Sequence, residues 1–394
     1  MSLLTKETLG STAPGPGGAL RVVPIKSDAD LHKYASAWDC LADGVPFRTW
    51  AWNECWWRHF RGARDRLYVL GLEDREGRLR GLAPWYISHS RLLGRVLRFL
   101  GTGNVCSEHL TILSEPAWRS TVVSTLVDWL TEQDRHRWDT LEFDGVDSDN
   151  EAVHALVAAL AERMHPIDVQ HSISAWRINL PTTWEEYLDQ LSGKHRKMLR
   201  RIFRNSLDTG EAELHVANDP KSLAVGWQVL ESLHSLRRES LGQSGCFASS
   251  RFTDFHREMI QRLLASRQLR LQWLELNGCP AAAEYGLCDE QTVYCYQTGF
   301  DPQFAAEKPG WLSFGVSIRR AISQGYRWFD FLRGDEPYKS TWHAEPRSLS
   351  AIRVFADHWR GSVHYGSWSL GQKLKPLFPT LAGAVLRSTF ERSC

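Results

Sequence analysis

The stretch Phe329-Asp330-Phe331-Leu332-Arg333-Gly334-Asp335-Glu336-Pro337-Tyr338-Lys339, followed by Trp342, decides the reading of this chain. It opens with the alternation of a short buried strand, Phe329 and Phe331 on one face and Asp330 on the other. Gly334 and Pro337 then break it into a loop. Acids, a guanidinium, a phenol and an amine crowd that loop. An apolar strand that runs into dense polar chemistry reads as a site at the end of a sheet. The plainer alternative is an Asp–Arg ion-pair corner that only shapes a turn.

Upstream lies Val293-Tyr294-Cys295-Tyr296-Gln297-Thr298-Gly299-Phe300-Asp301-Pro302, an aromatic strand ended by a Gly turn. Lys308-Pro309-Gly310-Trp311 follows and leads into an amphipathic helix, Leu312 to Ser323. The Tyr-Gln-Thr-Gly-Phe-Asp-Pro stretch, the Lys-Pro-Gly before the helix and the Asp-Phe-Leu-Arg-Gly-Asp-Glu-Pro-Tyr-Lys run with its trailing Trp342 together resemble the GNAT-like acetyltransferases named for cellulose biosynthesis (CelD/BcsL type), relatives of the FemAB peptidyltransferases. The resemblance is good over residues 180–350 and loose over 20–175.

Composition sets the frame. A chain of 394 residues has room for two ordinary domains. Its 43% hydrophobic and 24% charged content is that of a soluble globular protein. A net charge of +1 speaks against general electrostatic capture of nucleic acid. The eight cysteines form no Cys-x-x-Cys pair, and no Cys/His spacing matches a zinc site, so no metal is expected. A reduced, cytoplasmic protein is the expectation. Residues 1–19 read as a disordered Gly/Pro/Ser/Thr-rich leader and not a signal peptide. No run of about 18 apolar residues spans a membrane.

Periodicity divides the rest. The first half reads as strand 20–26, helices 29–42 and 50–60, strands 66–73, 79–88 and near 109–113, helix 116–132, strand 138–143, helix 149–163, and strands near 167–171 and 174–180. The second half repeats the order: helices 183–191 and 194–208, strand 212–217, helices 220–238 and 251–266, strands 269–276, 280–288 and 291–298, helix 310–324, strand 327–332 and strands near 349–357. Leu67-Tyr-Val-Leu-Gly-Leu-Glu and Leu269-Arg-Leu-Gln-Trp-Leu-Glu occupy the same place in that order. The expected fold is α/β (α+β): two tandem GNAT-like (acyl-CoA N-acyltransferase) units, 20–180 and 181–358, with mixed, mostly antiparallel sheets flanked by helices. A helical tail over 359–394, apolar with Lys373, Lys375, Arg387 and Arg392, would dock on the second unit or touch a membrane surface.

The resemblance implies a donor, acetyl-CoA or another acyl-CoA, and an acceptor amine or hydroxyl on a sugar, glycan or lipid-linked precursor of the cell envelope. It places the thioester along Val293–Thr298, with Gln297, and the pyrophosphate at Lys308, Pro309, Gly310 and Trp311. A helix N-terminus suits phosphate because free N–H groups point outward there. The usual Arg/Gln-x-x-Gly-x-Gly/Ala loop is reduced here to the single Gly310. The general base is Asp330 or Glu284; Glu284 stands in a strand of small residues, Ala281-Ala282-Ala283. Tyr296 and Tyr338 are candidates to donate to the oxyanion. Arg333, Asp335, Lys339 and His343 are candidates for substrate binding. The basic helix with Lys194, Arg196, Lys197, Arg200, Arg201 and Arg204 is either a solvated face or an anion-binding one. Two alternatives stand beside this reading: a FemAB-like aminoacyl transferase using charged tRNA, and a non-catalytic binding module on the same fold. No DNA partner is expected.

Overall fold

The computed structural model describes residues 18–374. The first part of the chain runs β1 (Arg21–Ile25), α1 (Asp28–Lys33), α2 (Ala35–Leu41), α3 (Trp50–Phe60), β2 (Arg66–Glu73), β3 (Leu79–Ser90), β4 (Gly94–Phe99), β5 (Leu113–Ser114), α4 (Arg119–Asp128), β6 (Thr140–Asp147), α5 (Glu151–Glu162) and β7 (Ile167–His171). The second runs β8 (Ala175–Asn179), α6 (Trp184–Gln190), α7 (Gly193–Ser206), β9 (Ala212–Val216), α8 (Pro220–Glu239), α9 (Ser250–Ala265), β10 (Leu269–Leu276), β11 (Cys279–Cys288), β12 (Thr292–Phe300), α10 (Pro309–Ser323), β13 (Trp328–Arg333), α11 (Tyr338–Thr341), β14 (Glu345–Arg347), β15 (Leu349–Phe355) and α12 (Trp359–Leu374).

Two mostly antiparallel sheets result. One has the order β1-β2-β3-β4-β6-β15-β7, with β5 on β3, and the other β14-β8-β13-β12-β11-β10-β9. Each contains one parallel pairing, β4 with β6 and β12 with β13. The sheets exchange strands across the boundary expected near residue 180. β8 precedes that boundary yet pairs with β13 and β14 in the second sheet. β15 comes from the far end of the second unit and pairs with β6 and β7 in the first. Strand propensity locates such segments but not their neighbours, which pairing across the whole chain decides.

Three local expectations also change. Gly94–Phe99, left without an element in the sequence reading, is β4, the parallel partner of β6. The strand expected near 109–113 shrinks to Leu113–Ser114, and the residues before it form a loop in which Cys106 and His109 have left-handed backbones (φ 47° and 58°). Helix 29–42 is divided at Tyr34 into α1 and α2.

Three large apolar clusters hold the layers together. One lies between the first sheet and α4 and α5. A second joins the second sheet to α6, α7 and α10. The third crosses between the units: Phe47, Trp52 and Trp56 of the first pack with Phe255, Met259, Tyr285, Tyr294 and Leu332 of the second. Most of the tryptophans serve these cores; Trp38, Trp52, Trp85, Trp138 and Trp342 are fully buried. α8 approaches β12 so closely that a Cβ at Gly299 would lie 2.3 Å from the His234 nitrogen, so this strand position requires glycine. α12 buries Gly361 and Trp368, with Trp368 under the Arg353 guanidinium at 4.2 Å, and leaves Trp359, Val363, Leu370 and Leu374 exposed. Leader residues 1–17 and tail residues 375–394 lie outside the described residues. No described helix is long and apolar enough to cross a membrane.

Candidate active site

β12 and β13 stay together for three residue pairs, Thr292–Trp328, Val293–Phe329 and Tyr294–Asp330, and then part. Each strand has its own reason to leave. β12 continues along β11 with a bulge at Tyr296, since Gly286 faces Cys295 while Tyr285 faces Gln297. β13 bends at Leu332, which has φ 59° and donates its N–H to Asp330 Oδ1 at 2.7 Å. The separation leaves an opening in the sheet beside the strand along which the resemblance sets the thioester, Val293–Thr298.

α10 starts beyond the end of β12. Lys308 precedes it in the left-handed conformation, φ 55° and ψ 56°, and Pro309 occupies the first turn, where its missing N–H costs nothing. Trp311 and Leu312 both donate to Lys308 O, which leaves Gly310 as the first-turn amide without a backbone acceptor. A Cβ at Gly310 would meet only Phe300 Cδ1, at 4.0 Å. Trp311 packs between His195 of α7 (5.2 Å) and Trp342 (4.4 Å), and Lys308 Nζ rests on Met198 Sδ at 3.1 Å. The basic helix α7 therefore borders this helix start. Arg196 and Arg200 pair with Asp189 and Glu185, whereas Lys194, Lys197, Arg201 and Arg204 are exposed without an ion-pair partner among the described residues.

On the α10 side of the sheet, Glu284 is opposite Thr298 on the diverging half of β12. Ser317 Oγ donates to its Oε1 at 2.6 Å, and its Oε2 has no partner among the described residues. Burial pushes its pKa up to about 7, against the Ser317 hydrogen bond that lowers it. Tyr338 stacks on Phe314 at 5.6 Å and keeps 41% of its surface exposed. Gln297 is buried opposite Tyr285, and its amide has no hydrogen bond to a described residue.

The other side of the same strands faces the first unit across a cleft of about 600 Å³. Asp330 lines it, only 1% exposed. Beside it stands His109, with Nε2 3.3 Å from Asp330 Oδ2 and Nδ1 2.9 Å from Asp147 Oδ2. Burial alone would lower the His109 pKa, but the Asp147 and Asp330 carboxylates push it up to about 10, so the ring is cationic at neutral pH. Burial would raise Asp147; His109, Arg347 and Arg48 instead hold it well below the usual carboxylate range. Arg48, Arg177 and Arg347 line the same cleft.

Several expected site residues are occupied elsewhere. Arg333 turns toward the first unit, where it pairs with the buried Glu108 and with Asp144 at 3.1 Å, close over Gly145. Lys339 is 2% exposed, and its ammonium donates to Leu332 O (3.1 Å), Arg333 O (3.0 Å) and Gly334 O (2.9 Å). It closes the loop and has no surface left for a substrate. Asp335 accepts from Trp176 Nε1 (3.1 Å) and the Ser174 amide, fastening the start of β8. His343 is exposed after the loop and bonds back only through its backbone, to Ser340 O. The Tyr296 hydroxyl hydrogen-bonds His256 Nε2 at 3.1 Å and donates to Val105 O. So Asp330 and Tyr296 turn to the first unit, Glu284 and Tyr338 to α10.

Sequence reasoning missed His109, Asp147, Arg48, Arg177 and Arg347. The signal for His109 was present in Ser107-Glu108-His109, a polar run inside an apolar region, but nothing local ties it to Asp330. Cys55, His59 and Glu258 form the one described cluster with metal-ligand spacing. Arg58 and Arg262 already hold the Glu258 carboxylate there, so the cluster reads as an ion-pair clamp between α3 and α9.

Residues 193–340 match a family described as an acetyltransferase (GNAT) domain. That stretch runs from α7 to α11 and contains the opening, the start of α10, Glu284 and Asp330. No curated protein matches the chain. The C-terminal domain of a putative lysylphosphatidylglycerol synthetase from Agrobacterium fabrum superposes with a TM-score of 0.52 at 8% identity, covering 89% of this chain and 97% of that one. A conserved protein of unknown function from Bacteroides thetaiotaomicron VPI-5482 gives 0.50 at 12% identity, covering 85% and 99%. A tandem GNAT protein from the clavulanic acid biosynthesis pathway gives 0.44 at 12%, covering 85% and 98%. The chain thus has a mixed α/β fold of two mostly antiparallel sheets flanked by helices, and its residues 193–340 are similar to a GNAT-type acetyltransferase domain.

Proposed function

We propose that this chain transfers an acyl group, acetyl in the simplest case, from acyl-CoA to an amine or hydroxyl of a sugar, glycan or lipid-linked precursor. The observation that carries this reading is the parting of β12 from β13 after Tyr294 and Asp330, with α10 on one side of the opening and the inter-unit cleft on the other. Donor phosphates suit the start of α10, where the macrodipole, Lys308 and the free Gly310 amide all favour an anion. The acceptor enters from the cleft. Asp330, its Oδ2 held only by the ion pair with His109 at 3.3 Å, takes the proton from the acceptor as nitrogen or oxygen attacks the thioester carbonyl. The protonated His109 orients that carboxylate. Collapse of the tetrahedral intermediate breaks the C–S bond, and the departing thiolate is protonated from the α10 side, where Glu284 and Tyr338 stand. Two carboxylates in different environments divide the acid and base roles in this way.

Gly310→Asp tests the donor placement. A Cβ at Gly310 would meet only Phe300 Cδ1 at 4.0 Å, so the main change from the substitution is negative charge where a phosphate would sit. Acetyl-CoA binding, followed by calorimetry, should weaken by about 1–3 kcal/mol, the scale of a charge-assisted hydrogen bond. Unchanged affinity would remove the placement.

One observation favours a second reading. Lys194, Lys197, Arg201 and Arg204 give α7 an unpaired basic face beside the start of α10, which also suits a larger polyanion such as charged tRNA. A parent protein that binds aminoacyl-tRNA but no acyl-CoA would favour the FemAB-like aminoacyl transfer.

A further inference from the structure

We infer that the inter-unit cleft selects an acceptor that carries its reacting amine or hydroxyl close to an oxyanion, a phosphate or a carboxylate. This deepens the acyl-transfer reading and rests on it for the acceptor's role.

The cleft holds two kinds of unmet hydrogen-bonding capacity. Asp330 Oδ2 and Asp147 Oδ1 are buried carboxylate oxygens, on residues 1% and 5% exposed, that have ion-pair neighbours, His109 Nε2 at 3.3 Å and Arg347 at 3.4 Å, but no well-aligned hydrogen bond. They accept only, so they call for an N–H or O–H donor. The second kind is cationic. Arg177 lies over the Trp328 ring at 4.9 Å and makes no side-chain hydrogen bond to a described residue. Arg48 uses its Nε on His109 O at 2.6 Å, and its two terminal nitrogens have no hydrogen bond to a described residue. Arg347 reaches Asp149 at 2.8 Å and Asp147 at 3.4 Å.

Arg177 and Arg347 crowd one another. Burial lowers the Arg177 pKa, and the neighbouring Arg347 lowers it further. Burial also lowers that of Arg48. Desolvated guanidiniums kept side by side bind an oxyanion more strongly than water-exposed ones do. The acids of the cleft are themselves partly answered, since Arg119 pairs with Glu151, Arg80 with Glu115 and Arg347 with Asp149. A cleft of about 600 Å³ suits a sugar with one such substituent. A neutral sugar would leave Arg177 and Arg48 unanswered, and an anion without an N–H or O–H would sit against two carboxylates.

The test is calorimetric titration of the full chain with glucosamine 6-phosphate, muramic acid and glucosamine, and separately with acetyl-CoA. The two anionic sugars distinguish phosphate from carboxylate. At least one should bind about tenfold or more tighter than glucosamine, the worth of one charge-assisted contact. Arg177→Gln should remove that advantage and leave glucosamine and acetyl-CoA binding unchanged, which also reports that the variant is folded. Equal binding of neutral and anionic sugars, no binding of either anionic sugar, or an Arg177→Gln protein that keeps the preference would overturn the inference. Acetyl-CoA separates the two ideas: donor binding without an anionic preference sinks the cleft alone. An Arg177-dependent preference without donor binding sinks acyl-CoA as donor and leaves the cleft's selectivity standing.

Discussion

Glu284 and Asp330 stand on strands either side of β12 and face opposite ways, one under α10 and one into the cleft. Burial of Glu284 has a measurable cost. An unfolded glutamate ionises near 4.5, whereas here the group keeps its proton up to about 7. Between those values the folded state holds a proton that the unfolded chain has released, so stability falls as pH rises, by about 3 kcal/mol in all. Glu284→Gln keeps the Ser317 hydrogen bond and removes the titration. Urea denaturation should find it more stable than the parent at about pH 8 and equal at about pH 4, while turnover drops. A variant no more stable at the higher pH would show that the carboxylate is not held protonated. Such uses of a residue were only half legible in the sequence. Asp330 and Lys339 stand out in the same eleven-residue stretch, but the three carbonyls that bind Lys339 come from a bend the letters do not reveal. The histidine and carboxylate that complete Asp330 come from the other unit, where no local spacing connects them.

The two parallel strand pairs make an internal comparison possible. β4 and β6 also part after two residue pairs, Val96–Thr140 and Leu97–Leu141. There the next residues, Arg98 and Glu142, join across the gap at 2.8 Å, and Arg353 of β15 reaches Glu142 from the other side at 2.9 Å. Burial would raise the pKa of Glu142, yet these two guanidiniums keep it below the usual range, so the bridge is charged and closed. In the second sheet the last pair before the parting is Tyr294 and Asp330, and the cation beside them, His109, comes from the first unit and does not tie the two strands together. Acetyl-CoA titration should therefore saturate at one donor per chain. A second equivalent of bound donor would contradict the closure. Reading β4 from sequence failed because Arg95 and Arg98 interrupt its apolar alternation, and these charges are answered only by Asp139 and Glu142, far along the chain.

At the scale of the molecule, Arg333 and the crossing apolar cluster join the units, and the exchange of β8 and β15 makes neither sheet complete from contiguous sequence. A fragment of residues 18–174 would lack the strand between β6 and β7. It should unfold without a cooperative transition, by circular dichroism or by hydrogen exchange, whereas a sharp transition would mean that the first unit stands alone. The exchange also sets a timetable for synthesis. On the ribosome β6 is finished roughly two hundred residues before its partner β15 appears, which at about 5–20 residues per second is a wait of roughly 10–40 s. Throughout that interval a buried-type strand edge is open to nascent chains on the same messenger, so the rate of translation and the crowding of polysomes govern how much of this protein reaches its native pairing.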